Sequence, residues 1–222
     1  MSARETKNLL YEQVARIGKA LSSPKRLELL ELVAQGEKSV ESLTAELAID
    51  VKSVSAHLKA LRDASLVQTR REGKYIYYRL SGPDVSGLCV SLRAVAREHL
   101  SEMQTAMQHL LKHPDGRSPI SRTELLRKAR SGAVIVIDVR PRAEFDAAHF
   151  PCARSMPLSE LKQRLSELPV DCEIVAYCRG PFCVMSDSAV AVLEAAGYRA
   201  RKTPEGVSEW LSAGLALECA HA

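Results

Sequence analysis

The apolar residues of the first sixty positions recur at the spacing of amphipathic helices. Ser23 is a typical N-cap residue, and Pro24 after it suits the first turn of a helix. Asp50 is a second typical N-cap. Together these features predict four successive helices, over residues 5–21, 24–35, 40–48 and 51–63.

Two short strands joined by a glycine turn are predicted after the fourth helix. Residues 66–70 and 74–80 flank Arg71-Glu72-Gly73, a turn that suits a hairpin. Two short helices joined by residues 48–50 and followed by a hairpin indicate a helix-turn-helix with a wing. In this layout the fourth helix lies in the major groove of DNA, and the hairpin runs along a flanking phosphate or minor groove.

The second half of the chain has a different pattern. A turn-rich linker at 113–120 leads to a short helix over 122–130, and residues 133–140 form an apolar, β-branched run typical of a buried parallel strand. Helical and strand-like segments alternate from there on, as in α/β domains with a mostly parallel sheet. We therefore expect an α+β winged helix-turn-helix domain at 1–112 and an α/β domain at 121–222.

The composition indicates the class of protein and the cellular compartment. A hydrophobic content of 46% and a charged content of 26% are ordinary for a globular protein. No apolar run approaches the roughly 18 residues of a membrane span, so we expect a cytoplasmic protein without a membrane partner. The six cysteines indicate thiol chemistry rather than the disulfide framework of a secreted protein.

The net charge of +4 lies entirely in the first half, where residues 1–113 hold 17 basic and 13 acidic residues. Residues 50–80 alone carry seven basic residues against three acidic ones, which favours a polyanionic partner over a merely solvated face. We predict that double-stranded DNA meets the outward side of the fourth helix and the wing, at Lys52, Ser53, Ser55, Ala56, His57, Lys59, Arg70, Arg71 and Lys74.

Three segments of this half resemble the ArsR/SmtB family of winged-helix repressors: LSSPKRL at 21–27, SVSAHLKALRDASLV at 53–67 and REGKYIYYRL at 71–80. The resemblance covers about residues 5–112. It implies a homodimer that releases operator DNA when an inducer binds. A predicted long helix over 84–112 fits the dimer seam together with the first helix, although packing into the domain's own core is the alternative. Its stripe comprises Val85, Leu88, Leu92, Val95, His99, Met103, Met107 and Leu110.

The metal ligands common in that family are not reproduced in this sequence. The third helix, from Ser39 to Leu43, contains no cysteine, and Asp84, His99, His109 and His113 do not have the spacing of the usual site. Cys89 alone cannot build a thiolate site within one subunit. We therefore expect neither a metal nor a cofactor, and another part of the chain should receive the signal.

Cys178 is the candidate reactive centre. It follows a strand-like apolar run at 172–177 and precedes a helical pattern at 188–196, with Gly180-Pro181 between them. Backbone N–H groups in such a loop, together with the dipole of the following helix, favour the thiolate, which is the nucleophilic form of cysteine.

The second half resembles the rhodanese domain over about residues 120–219. The resemblance rests on IDVRPRAEF at 137–145, HFPCARSMPL at 149–158, the Cys178 loop, AAGY at 195–198 and TPEGVSEW at 203–210. Rhodaneses carry sulfane sulfur on a cysteine as a persulfide. The resemblance therefore implies that Cys178 is the nucleophile and that Arg179 attracts an anionic donor. Backbone N–H groups would cradle the sulfur, among them those of Gly180, Phe182, Val184 and Met185.

Several positions depart from that family. Cys152 and the Gly206-Val207 pair stand where a glycine and a double glycine are usual. Relatives that bind oxyanions have an arginine six residues after the cysteine, and this chain has Val184 there, which disfavours oxyanion chemistry. Asp138 and Arg140 are expected to form a structural ion pair.

Cys183, five positions after Cys178, admits two interpretations. It is either a small packing residue or a resolving thiol that attacks a persulfide or sulfenic acid on Cys178. Cys152 is a further candidate partner for Cys178, and the sequence does not decide between Cys183 and Cys152.

The sequence thus predicts a DNA-binding regulator whose second domain senses a small sulfur donor or an oxidant at Cys178. Two other hypotheses stay open. The chain is alternatively a sulfurtransferase with an attached DNA-binding domain, or a repressor that responds to a metal or arsenic through cysteines of both domains.

Overall fold

A computed structural model describes residues 1–110 and 120–220. The chain divides into two compact units, Met1–Cys89 and Val90–Ala222. The division falls earlier than the predicted domain boundary at residue 112, within a helix that supplies residues to both units. Apart from Ile120, the predicted linker at 113–120 lies outside the described residues.

The first unit contains the predicted helices and hairpin. Asp50 caps the fourth helix by accepting a hydrogen bond from the backbone N–H of Ser53 (2.9 Å), and Leu29, Leu43 and Leu58 form the centre of the core. The elements are α1 (Ala3–Leu21), α2 (Pro24–Val33), β1 (Lys38–Ser39), α3 (Val40–Leu47), α4 (Val51–Asp63), β2 (Val67–Glu72) and β3 (Tyr75–Leu80).

The wing is a three-stranded antiparallel sheet in the order β1-β3-β2. The hairpin is tighter than predicted, because Glu72 pairs with Tyr75 and leaves only Gly73 and Lys74 in the turn. Gly73 has a φ of +59°, a conformation that glycine adopts without steric cost. The sequence did not predict β1, whose two residues are too few to form a pattern.

The predicted long helix over 84–112 is interrupted, which corrects the sequence-based expectation. Helix α5 runs from Pro83 to His99 and helix α6 from Ser101 to Leu110. The side-chain amide of Gln104 donates a hydrogen bond to the carbonyl oxygen of Glu98 (3.0 Å), which satisfies a carbonyl at the end of α5. The predicted stripe is also divided, because Met107 is buried in the second unit whereas Leu92 and Val95 are exposed on α5.

The second unit is an α/β domain with a parallel sheet in the order β5-β4-β6-β7, as predicted. Its elements are α7 (Arg122–Arg130), β4 (Val134–Asp138), α8 (Arg142–Ala147), β5 (Arg154–Ser155), α9 (Leu158–Arg164), a 3-10 turn (Leu165–Glu167), β6 (Glu173–Tyr177), α10 (Met185–Ala195), β7 (Ala200–Lys202) and α11 (Val207–Ser212).

Apolar side chains cover both faces of this sheet. On β6, Ile174 and Ala176 face one apolar cluster, whereas Val175 and Tyr177 face the other. Strands buried on both faces read as continuous apolar runs, which is why the sequence pattern indicated a parallel sheet. Among the residues that the structure describes, we find no helix with both the length and the apolar character that a membrane span requires.

Candidate functional site

Cys178 is the first residue after β6, at the carboxyl end of the central part of the parallel sheet. Only 2% of its surface is exposed. The loop that it begins ends at Val184, and α10 starts at Met185, three residues earlier than predicted. Ligands of open α/β sheets bind at this edge of the sheet, so the loop lies where the fold commonly places chemistry.

A disulfide joins Cys178 to Cys183 and closes the loop, with a Cα–Cα distance of 6.3 Å. Cys183 is half-buried and therefore more accessible than Cys178. Cys152, the other candidate partner, is an exposed free thiol. The structure therefore brings together Cys178 and Cys183 but not Cys178 and Cys152.

The backbone of the loop keeps several N–H groups available. Cys183 donates its backbone N–H to the carbonyl oxygen of Gly180 (3.1 Å). Within the described part of the chain, the N–H groups of Gly180, Phe182, Val184 and Met185 have no protein acceptor. Because no side chain caps α10, its N-terminus adds positive potential to the same loop.

Arg179 is paired with Glu144, a carboxylate whose role no local sequence pattern indicates. Its guanidinium donates two hydrogen bonds to Glu144 of α8, with distances of 2.5 and 3.0 Å. The carboxylate of Glu144 is 3% exposed, so this is a largely buried ion pair. Arg179 thus fixes the loop to α8, and its charge is already matched before any donor approaches. The only sequence signal was the position of Glu144 within the segment at 137–145.

Asp138 and Arg140 form the expected ion pair. Both side chains are fully buried, with 2.5 Å between Oδ2 of Asp138 and Nη2 of Arg140, and Arg140 also donates to the carbonyl oxygen of Ala148 (2.7 Å). Burial opposes the charge of Arg140, but the hydrogen bonds and the charge of Asp138 outweigh it and raise the pKa of Arg140. These hydrogen bonds hold the Arg140 guanidinium within the scaffold, so the pair supports the sheet edge that carries Cys178.

The aromatic residue before Cys178 is part of the same support. The Tyr177 hydroxyl accepts a hydrogen bond from the backbone N–H of Phe150 (3.1 Å), and Phe150 stacks between Tyr177 and Trp210. Burial raises the pKa of Tyr177 well above its ordinary value, and the negative charge of Asp138 adds to this effect. Tyr177 is therefore a neutral packing residue.

The predicted DNA-contacting side of α4 is largely exposed. Lys52, Ser55, Ala56 and Lys59 are exposed, whereas Ser53 and His57 are half-buried. These side chains differ in how free they are to contact DNA. The hydroxyl of Ser53 donates to Asp50 (2.7 Å), and Lys59 pairs with Asp63 (2.5 Å). Lys52 has no partner among the described residues.

The wing cations also differ in their partners. Arg70 pairs with Glu72 (2.7 Å) and with Glu37 (2.8 Å), whose role the sequence did not reveal. These hydrogen bonds raise the pKa of Arg70. Arg71 donates to the carbonyl oxygen of Gly73 (3.1 Å), and the Lys74 ammonium lies 5.2 Å from the centre of the Tyr75 ring. Neither Arg71 nor Lys74 forms an ion pair within the described residues.

Comparison with known proteins agrees with both halves of this description. The sequence-family model of bacterial regulatory proteins of the arsR family matches residues 23–69. The family model of the rhodanese-like domain matches residues 121–213. An HTH-type transcriptional regulator of Mycobacterium tuberculosis is 42% identical over 214 residues, covering 96% of this chain and 94% of that protein. The chain belongs to the arsR family of transcriptional regulators. The resemblances to this family and to the rhodanese domain are confirmed.

Two further relatives of this regulator cover its first half. A biofilm growth-associated repressor of Agrobacterium fabrum is 43% identical over 83 residues, covering 37% of this chain and 71% of that protein. A homodimeric winged helix-turn-helix fragment from Mycobacterium bovis, solved by NMR, is 44% identical to this chain. The match covers 46% of this chain and 93% of the fragment, with a TM-score of 0.42. Across residues 1–110 and 120–220, no three His, Cys, Asp or Glu side chains are grouped so as to hold a metal ion.

Proposed function

We propose that this DNA-binding regulator responds to sulfane sulfur or to an oxidant through Cys178 and Cys183. The observation that carries the proposal is the disulfide between the two residues at the carboxyl edge of a rhodanese-like sheet. A two-cysteine site of this kind stores the signal covalently, and reduction by a thiol erases it.

The chemistry for an organic persulfide, R–S–SH, proceeds in two balanced steps. The Cys178 thiolate attacks the terminal sulfur, the S–S bond of the donor breaks, and the products are a persulfide on Cys178 and the thiol R–SH. The Cys183 thiolate then attacks Sγ of Cys178, and hydrosulfide leaves with the electron pair of the broken bond. The two cysteine thiols are oxidised to a disulfide, and the sulfane sulfur is reduced to hydrosulfide.

The loop supports each of these steps. The unengaged N–H groups and the N-terminus of α10 stabilise negative charge on sulfur, first as the thiolate and then as the persulfide. Arg179 holds the loop through Glu144 in this proposal, rather than attracting the donor. In the oxidised state Cys183 is the more exposed sulfur, so a reducing thiol attacks there and releases Cys178.

DNA recognition is assigned to α4 and the wing. Lys52 with Lys59 on α4, and Arg71 with Lys74 on the wing, are exposed cations at the positions where a winged helix meets phosphates. We propose that Ser55, Ala56 and His57 approach the base edges of operator DNA. Ser53 and Arg70 have a supporting role, because Asp50 holds both the N–H and the hydroxyl of Ser53 and two carboxylates hold Arg70, whereas Lys59 has a single carboxylate partner.

A second copy of the chain is the proposed partner for the exposed apolar side chains of α1 and α5. Leu10, Tyr11 and Val14 of α1 and Leu92 and Val95 of α5 are between 39% and 68% exposed. Large apolar side chains clustered on a helix surface mark interaction sites. A homodimer presents two α4 helices to two half-sites of an operator.

The test is the affinity for an operator obtained by selection from random DNA, measured with and without glutathione persulfide. We expect the affinity of the wild type to change, and that of Cys178→Ser and of Cys183→Ser to stay constant. The matched control is Cys152→Ser, which should respond like the wild type. An equal response of the wild type and both loop variants would overturn the proposal.

Sulfurtransferase activity is the second candidate, favoured by the match to the rhodanese-like domain. An enzyme transfers sulfur from thiosulfate to cyanide with many turnovers and does not need Cys183. The reduced Cys183→Ser variant separates the two functions, because faster turnover than the wild type identifies an enzyme that the disulfide inhibits.

A further inference from the structure

A cavity of about 400 Å³ lies beside the disulfide loop, within the second unit. Its walls come from α5, α6, the first residue of α7, the loop itself, the segment that precedes α11 and α11. Small-molecule sites typically have volumes of about 300–1,000 Å³ and combine an apolar lining with a few polar groups. The cavity therefore has the size of a small organic ligand.

The largest apolar side chains of the lining come from two elements. Met103 and Met107 come from α6, and Pro181 and Phe182 come from the disulfide loop. Phe182 is 38% exposed, which is unusual for a phenylalanine in a compact domain. Thioether and aromatic side chains make favourable contacts with flat apolar groups.

The charged part of the lining has a surplus of one cation. Arg93 pairs with Glu209 (2.6 Å), and Arg122 pairs with Glu205 (2.5 Å). Arg97 also lines the cavity and has no ion pair or hydrogen bond among the described residues. A guanidinium in this position suits a carboxylate or sulfonate, which it binds through two parallel hydrogen bonds.

The arrangement of α5 keeps the cavity separate from the proposed dimer surface. Val90, Arg93 and Arg97 occur at helical spacing and line the cavity. Leu92 and Val95 point to the other side of the helix and are exposed. A dimer formed through that second side therefore leaves the cavity open.

We infer that this cavity binds an amphipathic organic anion, with a flat apolar body against Met103, Met107 and Phe182 and one carboxylate or sulfonate at Arg97. The inference goes beyond the proposed function, because it requires no reaction at Cys178. It gives the regulator a second, non-covalent input. Since Pro181 and Phe182 lie between the two cysteines, the ligand touches the loop that the disulfide closes.

The test uses two probes that differ chiefly in charge: 8-anilinonaphthalene-1-sulfonate and its uncharged analogue N-phenyl-1-naphthylamine. Trp210 is the single tryptophan of the chain and follows Glu209, so energy transfer from it reports a naphthalene bound in this unit. The proteins are full-length wild type, Arg97→Ala and Arg154→Ala. Arg154 is exposed on β5 and does not line the cavity.

We expect saturable binding of the sulfonate with one equivalent per chain, weakened about tenfold in Arg97→Ala and unchanged in Arg154→Ala. The uncharged probe should bind wild type and Arg97→Ala alike. Equal sulfonate affinity in the two arginine variants, or titration without saturation, would overturn the inference. Reactivity of Cys178 with a persulfide is measured separately, so either proposal can fail while the other stands.

Discussion

A β-carbon added to Gly206 would lie 2.1 Å from the carbonyl oxygen of Arg179 and 2.7 Å from the backbone nitrogen of Gly180. The start of α11 thus packs directly against the loop that begins at Cys178. Glycine is required at position 206 because the two backbones lie so close together. Its own backbone conformation does not require glycine, since its φ is −115°. Gly206 also donates its N–H to Glu209 (3.0 Å), the residue that pairs with Arg93.

Gly206→Ala is therefore expected to displace the reactive loop. Because the opposing atoms belong to the backbone and cannot rotate away, we expect a loss of about 1–3 kcal/mol in the free energy of unfolding. Urea unfolding followed by the fluorescence of Trp210 measures this loss. The control is Gly18→Ala in α1, where an added β-carbon meets no atom within 4 Å. Unchanged stability and unchanged reactivity of Cys178 in Gly206→Ala would contradict the prediction.

Cys152 has a φ of +65°, in the left-handed region that residues with a β-carbon rarely adopt. This explains why glycine is usual at that position. Cys152→Gly should raise the free energy of unfolding by about 0.5–1 kcal/mol, because relief of the strain exceeds the entropy that glycine adds to the unfolded chain. Cys152→Ala keeps the β-carbon and should bring no such gain. If both variants have equal stability, backbone strain is not the cause.

The buried pair of Asp138 and Arg140 gives the largest predicted loss of stability. Asp138→Asn leaves a guanidinium in the core without its counter-ion, which costs about 3–5 kcal/mol. The matched control is Asp146→Asn, which removes the carboxylate from an exposed pair with Arg142 (2.8 Å) and should cost less than about 1 kcal/mol. Chemical denaturation of the two variants compares these losses directly. Similar values for both would show that the buried charge is compensated by another group.

Tyr177 makes the stability of the second unit depend on pH in the alkaline range. The folded protein raises the pKa of its hydroxyl above the ordinary value of 10.0. The stabilisation is thus complete below about pH 10 and is lost at higher pH, by about 1.4 kcal/mol per pH unit, because only the unfolded chain releases the proton. Tyr177→Phe lacks this proton, so its stability should fall less steeply between pH 10 and pH 11. Parallel slopes for the two proteins in urea unfolding would refute the assignment.

Local patterns predicted much of the fold. Helix α4 has its predicted bounds, because Asp50 caps it and Val54, Leu58 and Leu61 recur at helical spacing. The interruption at Leu100 was not predicted, because the apolar pattern continues at helical spacing from α5 into α6 and no glycine or proline marks the break. Strand β1 was missed because it exists only through its pairing with β3.

The Cys178 loop and the ion pair between Asp138 and Arg140 were expected from the sequence, whereas the partner of Cys178 and the contact of Arg179 with Glu144 were not. Cys178 was chosen as a candidate because a strand-like run precedes it and a helical pattern follows its glycine loop, and the structure has β6 and α10 at these places. The choice between Cys183 and Cys152 as its partner depends on the path of the loop, which sequence spacing does not determine. Glu144 lies 35 residues from Arg179, and contacts between such distant residues leave no local pattern.

Salt dependence of operator binding tests the assignment of the DNA surface. Each phosphate contact by a lysine contributes about −0.9 to the slope of log affinity against log salt concentration. Lys52 has no partner among the described residues, so Lys52→Ala should reduce the magnitude of the slope by about 0.9. Lys59 is already paired with Asp63 in the free protein. For Lys59→Ala we therefore expect the same reduction in slope but a smaller loss of affinity, because the wild type must first break this pair.

Lys7→Ala, on an exposed part of α1, serves as the control and should leave the slope unchanged. A slope that Lys52→Ala does not alter would remove Lys52 from the phosphate contacts and require a different docking of α4.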